Sequence, residues 1–105
     1  MHASHTLVTV NELGPAKLID RLANHWSHKF EIERSEGRAS IPFPTATCML
    51  VVQDGRLSAR LEAEDDATLE KMQEVVADHL QRMARGEALS IAWTRHSEPG
   101  APSPP

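Results

Sequence analysis

The chain alternates between two hydrophobic periods, and the switches between them mark its elements. From His5 to Val10 β-branched residues accumulate (Thr6, Val8, Thr9, Val10), which predicts a strand. Asn11-Glu12-Leu13-Gly14 breaks it, and Pro15 suits a first helical position, where its missing N–H would have no partner anyway. From Pro15 to about His28 the apolar side chains are Leu18, Ile19, Leu22 and Trp26, which share one helical face. Phe30-Glu31-Ile32-Glu33-Arg34 alternates apolar and charged residues, the pattern of a half-buried strand. Ser35-Glu36-Gly37 is a turn, and Arg38 to Phe43 alternates again. Pro42 and Pro44 cannot donate to a ladder, so this strand is an edge or ends there.

Thr45 to Gln53 is the most apolar run and the expected centre of a sheet, with Ala46, Cys48, Leu50 and Val52 on one face and Thr47, Met49 and Val51 on the other. Asp54-Gly55 between two strand patterns predicts a type I′ hairpin, whose two central residues both need φ > 0. The return strand, Arg56 to Glu62, turns Leu57, Ala59 and Leu61 inward. A second helix runs from Asp66 to about Arg85, with Leu69, Met72, Val76, Leu80 and Met83 as its apolar stripe and Gly86 at its C-terminal end. Ala88 to Thr94 alternates once more and predicts a final strand.

The order is therefore β-α-β-β-β-β-α-β. Amphipathic strands joined by tight turns predict an antiparallel sheet with one face covered. The expected fold is α+β: a two-layer sandwich of a curved sheet of five or six strands with both helices on one side. One domain is expected over 5–95, between a polar tail at 1–4 and a proline-rich tail at 96–105.

Composition narrows the function classes. The net charge is −4, from 15 acidic and 11 basic residues, which disfavours a nucleic-acid partner, since phosphate neutralisation needs a basic face. No apolar run approaches the roughly 20 residues that span a bilayer, and no basic segment leads into an apolar one at the N-terminus. With one cysteine, Cys48, no internal disulfide is available. Together these features point to a cytoplasmic protein without a membrane partner. Cys48 has no basic or helix-terminal neighbour in sequence to stabilise a thiolate, and reads as a small buried hydrophobe.

The densest chemistry lies in His25-Trp26-Ser27-His28-Lys29-Phe30, where the first helix ends. Trp26 is on the core face. His25 lies about 75° from the centre of the apolar stripe and His28 about 135° from it, so His25 edges the core and His28 points to water. His79 lies about 50° from the centre of the second helix's stripe. The shoulders carrying His25 and His79 therefore face each other if both helices cover the same sheet face. Two histidines at i, i+3 are too few for a metal site, and nothing local adds a third ligand, so neither a metal nor another cofactor is expected. The acidic cluster Glu62, Glu64, Asp65, Asp66 suits the N-terminus of the second helix, with Asp65 or Asp66 as its cap. No nucleophile with an identifiable base and no glycine-rich phosphate loop is present, and no catalytic residue is assigned.

The chain resembles the small bacterial domain of unknown function family 2218. The resemblance rests on the His25–Phe30 block and on Leu61-Glu62-Ala63. It continues through Val75-Val76, His79-Leu80, Arg82, Ala84, Glu87 and Leu89 to Trp93. It implies no activity. It does imply a context, since similar domains occur joined to siderophore-interacting flavin reductases. Three functions follow as expectations. The first is a non-enzymatic binding or accessory module, tied to iron or siderophore handling, with His25, Trp26, His28, Lys29 and His79 as ligand-binding candidates. The second is a structural domain that forms a homodimer through an exposed sheet face or edge, as Thr47, Met49 and Val51 suggest. The third is a small enzyme using His25 or His79 as acid or base.

Overall fold

A computed structural model describes residues 2–97. Six strands and two helices follow in the order β1 (His2–Val8), α1 (Pro15–Trp26), β2 (Glu33–Ser35), β3 (Arg38–Phe43), β4 (Ala46–Gln53), β5 (Arg56–Ala63), α2 (Asp66–Met83) and β6 (Thr94–Ser97). They form one sheet with the spatial order β2-β3-β4-β5-β1-β6, in which every neighbouring pair is antiparallel. This is the α+β architecture expected from the patterning. Among the described residues no helix is long and apolar enough to cross a membrane.

Local chemistry accounts for the turns and caps. Asp54 (φ 51°) and Gly55 (φ 73°) make the two-residue turn that registers Gln53 against Arg56, and from there the β4–β5 ladder runs unbroken to Ala46 and Ala63. Gly14 (φ 88°) turns the chain into α1, and Pro15 follows as its first residue. Asp65 caps α2: its carboxylate accepts the Thr68 backbone N–H at 2.7 Å. The side-chain period of each strand then sorts residues to two faces. Ile41, Cys48, Leu50, Leu57, Ala59, Leu61 and Val8 turn inward and are buried. Leu18, Ile19, Leu22 and Trp26 of α1 and Leu69, Met72, Val76 and Leu80 of α2 cover them. Each fully buried leucine contributes about 1.5–3 kcal/mol.

Three expectations need correction. The polar tail over 1–4 does not hold for residues 2–4: β1 starts at His2, because the far half of β5 offers a ladder to His2, Ala3 and Ser4 that their small and polar side chains can enter. The strand over Phe30–Arg34 shrinks to Glu33–Ser35, and Phe30 and Ile32 reach the core from irregular chain. The final strand shifts. Residues 88–93 have no ladder partner; the Gln81 side chain instead donates to the Glu87 carbonyl (2.7 Å) and accepts the Leu89 N–H (2.9 Å). Leu89, Ile91 and Trp93 still pack against the core, and β6 forms only where Thr94–Ser97 meets His5–His2. β6 thereby enters the start of the tail expected at 96–105; positions 98–105 lie outside the described residues.

Candidate functional site

The end of α1, the third quarter of α2 and the end of β3 converge on one corner. Trp26 sits at its centre, 4 % exposed. Its ring meets Phe43 edge-on at a centroid distance of 5.0 Å, and Phe43 in turn meets Phe30 at 5.2 Å. Over the same indole lies the His79 imidazole, 4.9 Å from it, and His25 stands 5.2 Å from His79 and 6.1 Å from Trp26. The helical faces that periodicity assigned to His25 and His79 thus do bring them together. Each helix contributes through its core stripe: Trp26 and Leu80 are buried, and the two histidines ride beside them, His25 exposed and His79 half-buried.

His79 is held by its own helix. Its Nδ1 lies 2.7 Å from the Val75 carbonyl oxygen, an acceptor only, so Nδ1 carries the proton in that bond. In the neutral ring Nε2 then has the lone pair, on the side away from the helix backbone. His28 and Lys29 take no part in this cluster. They stand exposed in the turn after α1, where the Lys29 and Phe30 N–H groups both bond the Trp26 carbonyl. The corner is therefore three rings from the candidate set with two phenylalanines behind them, and a cationic turn alongside. Among the described residues no group of three His, Cys, Asp or Glu side chains is placed to hold a metal ion.

The other candidates have structural partners. Cys48 is fully buried, and burial pushes its thiol up to about 12, so it is no nucleophile at neutral pH. In the acidic cluster, Asp65 caps α2, Asp66 pairs with Arg95 and Glu62 pairs with Arg60 at 3.0 Å. Glu87 had no assigned role in the sequence. It is a buried carboxylate that accepts three successive backbone N–H groups, from Asn11 (2.6 Å), Glu12 (3.0 Å) and Leu13 (3.5 Å). Burial raises the pKa of this carboxyl, and the three donors outweigh it, holding Glu87 below its ordinary value. The only local signal is a lone carboxylate just after Gly86, and its partners are more than seventy residues away.

Residues 8–94 match the family described as "Uncharacterized protein conserved in bacteria (DUF2218)". The chain belongs to this family. No curated protein matches it. Among solved structures it is similar to the NMR structure of PA4090 from Pseudomonas aeruginosa, at 39 % identity and a TM-score of 0.69, over 89 % of this chain and 94 % of that one. The family match thus runs from the last residue of β1 to the first of β6.

Proposed function

We propose that this domain of unknown function family 2218 protein is a non-enzymatic binding module whose ligand sits on the His25–His79 corner. The observation that carries the reading is the meeting of two imidazoles from different helices, 5.2 Å apart, above a buried tryptophan. Trp26 acts as the platform and the histidines as the contact surface. Imidazole faces stack on planar ligands, their N–H groups donate to oxygen atoms, and Lys29 adds positive charge beside them. A planar aromatic anion fits this chemistry.

The resemblance extends the reading to iron or siderophore handling, with a siderophore-interacting flavin reductase as partner, and each ring of an anionic ferric catecholate complex offers such a planar aromatic face. Titration of the protein with ferric 2,3-dihydroxybenzoate, followed by tryptophan fluorescence and amide chemical shifts, tests it. Saturable quenching is expected, weakened about tenfold in His25→Ala and in His79→Ala, as loss of a hydrogen bond to a charged group implies. Unchanged spectra in the wild type, or variants that bind equally while losing stability, would reduce the histidine pair to a packing contact.

A further inference from the structure

The sheet face turned away from the helices carries a second concentration of polar chemistry. Register places Met49, Arg60 and His5 in one cross-strand row, and Val51 and Ser58 in the next with Arg38. These side chains and His96 line an open hollow of about 420 Å³. Its polar groups are mutually arranged. His5 Nε2 lies 2.9 Å from Ser58 Oγ, and the His5 and His96 rings are 6.4 Å apart. Arg60 is oriented by Glu62 at 3.0 Å. Arg38, exposed at the rim, has no side-chain hydrogen bond or ion pair among the described residues.

The charge of this hollow opposes that of the chain. Among the described residues two arginines and two histidines line it and no carboxylate does, although the protein carries a net charge of −4. Of the acidic groups of the same face, Glu33 ends the Met49–Arg60–His5 row on the edge strand β2, two strands from Met49, and Glu62, in the neighbouring row, is paired with Arg60. Burial first, then the charges of His96 and Arg60, lower the pKa of His5, so its ring favours the neutral form until an anion binds beside it. Half-buried Met49 and Val51 supply apolar area beside the charges. A second copy packed face to face would bring the two arginines toward their own counterparts, a repulsive arrangement for a two-fold interface. An anion is attracted by the same two charges.

We propose that this hollow binds a small organic oxyanion, a carboxylate or phosphate group on an apolar body, with Arg38 and Arg60 on its oxygen atoms, His5 and Ser58 donating beside them, and the body on Met49 and Val51. Arginine matches both oxyanions through its planar fork of donors. The site is on the opposite side of the sheet from the His25–His79 corner, and its success or failure is independent of that corner.

The test is NMR titration of the full chain at low ionic strength with benzoate and with inorganic phosphate, reading amide and imidazole signals. Saturable shifts centred on His5, Ser58 and Arg38 are expected, with benzoate tighter than phosphate and the His5 pKa raised by the bound anion. Arg38→Gln, at an exposed position that leaves the fold intact, should weaken the benzoate response read at His5 and Ser58 about tenfold, while His79→Ala leaves the response at these signals unchanged. Shifts that never saturate, or an Arg38→Gln protein that binds as the wild type does, would overturn the proposal. So would line broadening of this face with protein concentration alone, which would make it the homodimer interface instead. Phosphate binding as tightly as benzoate would remove the apolar body from it.

Discussion

Thr6 faces α2 from β1, only 2 % exposed, and its Oγ1 has no hydrogen-bond partner among the described residues. Its neighbour on the same face, Ser4, solves the same problem by bonding the Gln73 side chain. A buried hydroxyl without a partner has been desolvated for nothing. Thr6→Val keeps the branched shape and removes the orphan, so it should raise the unfolding free energy by about 1 kcal/mol. Urea denaturation checks this as a higher midpoint at unchanged slope. At this scale the sequence was legible wherever a residue's surroundings depend on its own element. Cys48 and Trp26 were readable as core because their strand and helix faces are set by period alone. The orphan at Thr6 was not, because only the packing of α2 decides which β1 hydroxyl meets a glutamine.

Elements were readable in proportion to how local their causes are. The β4–β5 hairpin needs two residues with φ > 0 between matched strands, and Asp54-Gly55 states that need in the sequence itself. Gly55→Ala meets no neighbouring atom, so its cost is backbone strain alone, about 1 kcal/mol at φ 73°. Thermal unfolding should show a lowered midpoint with the native spectrum retained. The helices were equally legible, from their apolar stripes and from Pro15 and the Asp65 cap. The last strand was not. Alternation over 88–94 describes side chains that point alternately toward and away from a core, but a strand also needs an unpaired edge beside it. The edge available is that of β1 at His2–His5, which the chain reaches at Thr94, while Gln81 occupies the backbone groups that would have started a ladder earlier.

Whole-molecule order depends on a few ties between distant segments. Glu87, just beyond α2, holds the loop that leads into α1, and the Arg21 side chain of α1 bonds the Met83 carbonyl at the end of α2 (2.9 Å). The two helices are thus fastened at the end away from β6. The folded-state pKa of Glu87 is depressed, so its contribution is complete above the ordinary value of 4.5 and is lost as pH falls through the folded value. Glu87→Gln cannot accept at both side-chain positions and should lower the melting temperature at neutral pH. The gap between wild type and variant should close on acidification below 4.5, as calorimetry across pH would record.

Local patterning along the chain is enough to establish the fold class, the hairpin, the two helices and their buried faces. Each of those follows from period, turn chemistry or capping, which act over a few residues. It also placed His25 and His79 on facing shoulders, since two amphipathic helices on one sheet face leave little freedom for the residues beside their stripes. That β1 is flanked by β5 and β6, and therefore that His5, Ser58, Arg60 and His96 share one hollow, emerges only from the packed molecule. Strand order and register are set by packing energies summed over the whole core, and no short stretch of sequence carries that sum.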